Sequence, residues 1–473
     1  MAINYISTRG GIAPVSFTEA VMMGLATDAG LLLPDSYPAL SIAALDSFRD
    51  RLQQGRYRYQ DLACEVMRPF AADLPEEVLR DLVERSSATF SHPEVVPVVA
   101  TDGMFIMELF HGPTLAFKDV ALQFLGNLFE YLLRKDNSFM NILGATSGDT
   151  GSAAIHGVRG KKGINIFILH PHKRVSPVQE LQMTTVIDDN VFNIAIKGTF
   201  DQAQTMVKEI FADIPFKEKF HLGAVNSINW ARVLAQMVYY VHGWLMANKE
   251  KKNAGPVDFS VPTGNFGDIF AGYAASRIMP AGAVGRLILA TNANDILCRF
   301  IRQGDYSTRE VVPTSSPSMD IQAASNFERY LYYLLNEDAA ATKAAMARFA
   351  ADGRLDLSAH LATISRSFAA SRTDEQETGA TIRDFYQATG MVIDPHTACG
   401  VHAARSHKRD GVPMVALATA HPAKFAAAVE QAIGRTVDLP PPLATLAGKK
   451  TRLQVLDADT DAIREFVNAH ARH

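Results

Sequence analysis

After about residue 95, short β-branched runs alternate with amphipathic stretches, and this rhythm restricts the possible folds more than any other feature of the chain. The runs are FMNILGA before SGDTGSAAIHGV, INIFILHP, VFNIAIKG before an apolar helix pattern, VDFSVP before TGNFGDIFAGYAASRI, RLILATN, and VPMVALATA before HPAKFAAAVEQAI. Strands followed by helices in this order make parallel sheets covered by helices on both faces. The expected class is therefore α/β, with ligands at the carboxyl ends of strands.

Residues 1–95 have a different texture. SFTEAVMMGLA and DLPEEVLRDLVERS read as capped helices, LLLPDSYPAL as a loop, and Pro93 with Pro97 marks a boundary. The expected division is an N-terminal accessory domain, 1–95, and a catalytic region of two α/β lobes, 96–473, with a helix-rich block at about 325–390 read as an insertion. The tail offers one more strand, KTRLQVLDAD, and a helix begun by TDAIREFV. A chain of 473 residues has room for two or three domains and a cleft.

Composition narrows the partners. With 48% hydrophobic and 20% charged residues and a net charge of -4, the chain is ordinary globular material with no general attraction to nucleic acid or an anionic membrane. No apolar run approaches the ~18 residues of a membrane span. The start MAINYISTRGG lacks a basic stretch followed by an apolar core, so no leader is expected. Cys64, Cys298 and Cys399 are far apart and form neither a metal-type nor a redox pair, which suits a reducing compartment, and the cytoplasm is the expected location. No obligatory protein partner is evident.

The stretch HGPTLAFKD puts Lys118 beside Phe117 and Val120 at the start of a long apolar helix pattern. Lysine ordinarily favours the last turn of a helix, where the macrodipole welcomes positive charge. Desolvation and a positive helix end both favour the neutral amine, the nucleophile that makes a Schiff base with an aldehyde. Asp119 pulls the other way. The plain alternative is a snorkelling lysine at a loop end.

Two glycine loops stand at strand ends. VDFSVPTGNFGDIFAG has strand, loop and helix in the order that gathers N–H groups on an anion, with Gly264 and Gly267 allowing close approach. It matches neither a Walker A motif nor the dinucleotide fingerprint, and a ligand-free tight turn is the other reading. GATSGDTGSAAIHG repeats the arrangement with Ser147, Thr150 and Ser152, whose hydroxyls suit a carboxylate or phosphate. Asp149 repels an anion there unless it faces a cation or caps its own helix. An aldehyde-ready lysine, a phosphate cradle and a second anion loop together fit pyridoxal phosphate (PLP).

HGPTLAFKD, TSGDTGSAA, PTGNFGD, SPSMDIQAASNFER and ATAHPAKF, with an opening of YISTRG and FTEAVMMGLATDAGLLLP, resemble the threonine synthases of the longer bacterial and fungal type nearly end to end. The resemblance implies a PLP enzyme of the tryptophan synthase β-like fold that converts O-phospho-L-homoserine and water to L-threonine and phosphate. It makes Lys118 the Schiff-base lysine, and Gly264, Asn265, Phe266, Gly267 and Asp268 the loop holding the cofactor phosphate. Thr419 becomes the hydroxyl that meets the pyridine nitrogen, its plain alternative being a strand-end cap. The wider fold often has asparagine where Asp149 stands near the cofactor 3′-oxygen, and an ionised aspartate cannot donate that hydrogen bond.

The substrate phosphate requires a second cationic site. NSINWARVLAQ supplies Asn226, Ser227, Asn229 and Arg232, and HPAKF supplies Lys424; caps and a solvated arginine are the ordinary explanations. In IDPHTACGVHAAR, His396 and His402 stand six residues apart, which misses the one-turn geometry of a helical zinc pair, so no metal is expected and a loop and helix start lining a cleft is preferred. SPSMDIQAASNFER is polar and turn-like with no chemistry of its own. The rival activities are a PLP-dependent phospholyase or a serine or threonine dehydratase of the same fold. A non-catalytic PLP- or phosphate-binding relative is the alternative from another class.

Overall fold

A computed structural model describes residues 3–251 and 254–473. The chain divides into two compact units, one formed by Met1–Glu84, His92–His111 and Ser227–Val437, the other by Arg85–Ser91, Gly112–Asn226 and Asp438–His473.

The first unit is built on a six-stranded sheet in the order Phe368–Arg372, Val284–Thr291, Val257–Pro262, Met414–Ala418, Met104–Glu108, Val98–Thr101. Neighbours pair in parallel except at Val98–Thr101, an antiparallel edge. Every residue of Val257–Pro262 and Met414–Ala418 is buried, as expected of strands with helices on both faces. Ile288, Ala290, Ala416 and Ala418 on the strands pack with Ala398, Val401 and Ala404 of helix Pro395–His407. The block at 325–390 contains the helices Phe327–Leu334, Ala339–Asp352, Leu361–Ser367 and Glu375–Thr389, but it also contributes strand Phe368–Arg372 to the sheet edge, so it is woven into this unit.

The N-terminal segment belongs to the same unit. Ser16 and Glu19 form a capping box that starts helix Phe17–Met23. Strand Tyr5–Ser7 pairs antiparallel with Leu32–Pro34. Glu328 then ties this segment down, accepting from Thr8 Oγ1 at 2.6 Å and from Arg9 Nη2 at 2.8 Å.

The second unit carries a wholly parallel five-stranded sheet, ordered Gln454–Asp457, Val191–Lys197, Ile164–Pro171, Met140–Ala145, Leu222–Gly223. The expected C-terminal strand is its edge, and helix Thr460–His470 packs Ile463 and Val467 onto Phe167, Leu169 and Ile194. Among the described residues, no helix is long and apolar enough to cross a membrane.

Candidate active site

Within the second unit, Lys118 is the first residue of helix Lys118–Lys135 and is 8% exposed. Its Nζ lies 4.9 Å from the centre of the Phe117 ring and 3.6 Å from Asp149 Oδ2. Asp119, the next residue, is also buried. Its carboxylate turns back into the HGPT loop, accepting from Thr114 N and Thr114 Oγ1, each at 2.8 Å. Lys118 at the helix start thus stands beside an aromatic ring, with a carboxylate brought near it from another helix.

That other helix is Asp149–Val158, and its cap is Gly148, so Asp149 does not serve as an N-cap. Asp149 faces a cation instead: Oδ2 points to Lys118, while Oδ1 accepts from Gln179 Nε2 at 2.8 Å. Gly148 adopts φ 146°, and a Cβ there would lie 2.5 Å from Gln179 Oε1, so only glycine fits. The hydroxyl of Thr146 accepts from Gly148 N and Gly151 N, and Ser152 Oγ bonds back to Gly148 O, which commits part of the loop internally. Ser147 is exposed and Thr150 half-buried.

Within the first unit, strand Val257–Pro262 runs into the glycine loop and helix Gly267–Ile278. Gly264 passes so close to the backbone of Ser318 that a Cβ would lie 2.5 Å from its carbonyl oxygen. Asn326 holds the next turn, with its N and Nδ2 donating to Asn265 O at 3.0 and 3.1 Å. Because C=O and N–H of a trans peptide point oppositely, this directs the Phe266 N–H to the other side. Phe266 is left-handed at φ 63°, a strain of about 1–3 kcal/mol. Its ring is buried against Phe327, Tyr330 and Phe368, which offsets the cost. No side chain caps this helix, leaving its first amides suited to an anion. Asp268 is part of the loop by sequence, yet its Oδ1 accepts from Tyr239 and Tyr240 hydroxyls at 2.5 and 2.9 Å, so its side chain anchors the helix.

Arg232 is 4% exposed on helix Trp230–Ala247, and its Nε and Nη1 are buried without a hydrogen-bond partner. Burial pulls its guanidinium down to about 10. A buried cation of this kind is costly unless an anion completes it. Asn229, by contrast, caps that helix through Ala231 N at 3.1 Å and donates to Val21 O at 2.8 Å, the ordinary role anticipated for it. Ser227 Oγ lies 2.6 Å from Ser325 Oγ. Asn226 is the last residue before this stretch and falls in the second unit.

Thr419 follows strand Met414–Ala418 and is 5% exposed. Its N–H donates to Thr397 Oγ1 at 3.2 Å, and its hydroxyl takes no hydrogen-bond partner among the described residues, so it does not cap a helix. Lys424 is 3% exposed in the turn Pro422–Phe425. His396 bonds Asp394 and Ser318, whereas no group of metal-type ligands occurs among the described residues.

Sequence reading missed Gln179, Asn326 and Asp394. The first two carried only weak signals, a Ser-Pro helix start before PVQELQ and a polar residue before an apolar helix, because neither pattern says what a side chain will meet across the fold. The turn-like SPSMDIQAASNFER segment acquires its purpose the same way: Ser318 packs on Gly264, Asn326 holds Asn265, and Arg329 donates to Leu32 O.

The parts present fit a phosphorylated aldehyde cofactor: a buried lysine at a strand-end helix start, and a glycine loop whose close approach and uncapped helix suit a phosphate. Residues 98–417 match the family described as pyridoxal-phosphate dependent enzyme, the class that this fold and site define. Residues 4–87 match the threonine synthase N terminus and 397–467 the threonine synthase C-terminal region. The threonine synthase of Pseudomonas aeruginosa is 45% identical over 474 residues, spanning 99% of this chain and 98% of that protein. That of Schizosaccharomyces pombe is 44% identical, spanning 92% and 90%. The crystal structure of PLP-bound threonine synthase from Brucella melitensis superposes with a TM-score of 0.95 at 43% identity, covering 100% of both chains. The chain belongs to the threonine synthase family. Its activity is that of a PLP-dependent lyase of threonine biosynthesis.

Proposed function

We propose that the substrate is O-phospho-L-homoserine, which with water yields L-threonine and phosphate in the cytoplasm, and that Lys118 is the amine to which the cofactor aldehyde binds. The observation that carries the choice of a phosphorylated substrate is Arg232, a buried guanidinium with two unpartnered nitrogens. A dehydratase of an unphosphorylated hydroxyamino acid has no use for it.

When bound, PLP supplies an aldehyde for an amine and a ring that spreads negative charge from the adjacent carbon. Lys118 Nζ, once released by the substrate amine, takes the proton from Cα and then one from Cβ as phosphate leaves Cγ; the same amine returns one proton at Cγ and, after water has added at Cβ, the other at Cα. Asp149 holds positive charge on that amine between transfers. Gly264, Asn265, Phe266, Gly267 and Asp268 contribute the loop and helix start for the cofactor phosphate, while Thr419 offers its hydroxyl to the ring nitrogen. Arg232 grips the substrate phosphate through its planar fork, helped by Asn226, Ser227 and Lys424 while Asn229 caps the helix that carries it, and Ser147 and Thr150 receive the substrate carboxylate. The phosphate set free is placed to act as base for the water that adds at Cβ. Residues 1–95 form the accessory domain of this scheme and 96–473 its catalytic region.

Mixing the purified protein with O-phospho-L-homoserine and measuring threonine and free phosphate together tests the reaction. Equal yields are expected; phosphate with 2-oxobutyrate would mean a phospholyase. Borohydride treatment followed by peptide mapping is expected to leave a pyridoxyl group on Lys118, and Lys118→Ala to abolish turnover while the fold survives.

A further inference from the structure

Helix Pro177–Thr184 has no part in the scheme above, yet it presents two glutamines three residues apart to the surroundings of Lys118. Gln179 and Gln182 are 5% and 3% exposed. Gln182 Nε2 donates to Thr114 O at 3.0 Å, bracing the loop that Asp119 also holds. Gln179 reaches Asp149 itself. Its Oε1 accepts from Ser176 Oγ at 3.0 Å, which fixes the amide the right way round, and its Nε2 donates to Asp149 Oδ1 at 2.8 Å. The amide also lies against Gly148, where any Cβ would displace it.

The consequence is a carboxylate held at a set distance. Asp149 Oδ2 stays 3.6 Å from Lys118 Nζ, beyond a direct N–H···O bond, so it steadies the ammonium form without the short ion pair that would withhold the amine. The other titratable groups on the elements packed here are Asp119, which accepts from Thr114, His156, which lies 3.3 Å from Gln182 O, Glu180, half-buried on the Gln179 helix, and His170, buried at the end of strand Ile164–Pro171.

We infer that Gln179 is a positioning residue which, oriented by Ser176, tethers Asp149 away from Lys118 and thereby sets the pH at which that lysine can capture the cofactor aldehyde. This rests on Lys118 being the aldehyde-capturing amine. Without the tether the carboxylate closes on the ammonium and stabilises it further.

The test uses the full-length apoprotein. The rate of pyridoxal phosphate capture is followed by the growth of visible absorbance from acid to alkaline pH, with borohydride mapping of the lysine modified and a thermal melt of each variant. Gln179→Met is expected to raise the midpoint of the pH–rate profile by about one unit, which is about tenfold slower capture below the midpoint. Ser176→Ala is expected to shift it the same way by less, and serves if Gln179→Met does not fold. An unchanged or lowered midpoint in folded variants, with the adduct still on Lys118, overturns the role of Gln179 alone. A wild-type adduct on a different lysine overturns the assignment of Lys118 as well.

Discussion

The backbone N–H of Ser318 donates to Nε2 of His396 at 3.2 Å, so the ring carries its proton on Nδ1, 2.7 Å from Asp394 Oδ2. Asp394 is wholly buried and also accepts from Thr397 N and from the Thr397 hydroxyl, the group to which Thr419 N donates. One carboxylate therefore holds Thr419 on one side and, through His396, the Ser318 backbone that packs on Gly264.

Asp394→Asn places an amide donor among groups that all donate. We expect a stability loss of about 2 kcal/mol by denaturant unfolding and roughly tenfold weaker retention of pyridoxal phosphate in equilibrium dialysis. Wild-type values for both would show that the carboxylate holds nothing that the cofactor needs.

Arg232 pits stability against binding. Burial pulls its ionisation from the usual arginine range down to about 10, so below that pH the charged form costs the fold roughly 3 kcal/mol in the absence of an anion. Arg232→Met should raise the melting temperature of the ligand-free protein while weakening O-phospho-L-homoserine, seen as a KM increase of at least about tenfold. Unaltered KM would move the substrate phosphate to Lys424 or elsewhere.

His242 makes stability fall with acid. Its Nε2 donates to Val96 O at 2.8 Å and its Nδ1 accepts from Tyr57 at 2.7 Å, and burial pushes it down from 6.5 to about 4. The folded state holds this ring neutral while the unfolded chain takes up a proton, so the stability present above pH 6.5 is lost as pH falls from there through 4. The loss attributable to this ring reaches about 3 kcal/mol. His242→Gln keeps a donor and an acceptor but cannot titrate, and urea midpoints across this range should flatten in that variant. Identical pH slopes would assign the acid sensitivity to other groups.

The hydroxyl of Thr419, unlike a carboxylate, does not hold a proton on a pyridine nitrogen. Nitrogen NMR of the resting protein with labelled cofactor is expected to show that nitrogen unprotonated, and Thr419→Asp to protonate it. A protonated ring in the unaltered protein would remove Thr419 from this role.

The alternation of β-branched and amphipathic segments was enough for the parallel sheets, because burial on both faces demands long apolar strands such as Ile164–Pro171 whatever surrounds them. The odd placement of Lys118 and the glycines of TGNFG were legible for a similar reason: a lysine at a helix start and a close backbone approach are local requirements. Strand Phe368–Arg372 was hidden in a helical block because its short run is defined by its neighbour Val284–Thr291, not by its own pattern.

Side-chain partners lay beyond that reach. Asp149 had two local explanations, a cap or a cation's neighbour, and only folding, which brings Gln179 from 30 residues away and Lys118 from another helix, chose the second. Asn229 and Asp268 read as ligand groups in sequence, yet the fold spends their side chains on Val21, Tyr239 and Tyr240. Backbone conformation and apolar burial follow from short-range pattern and solvent exclusion, so the sequence determined the architecture and the chemical type of the site. Hydrogen bonds and charges depend on which groups meet at about 3 Å, and that is settled only when distant segments pack.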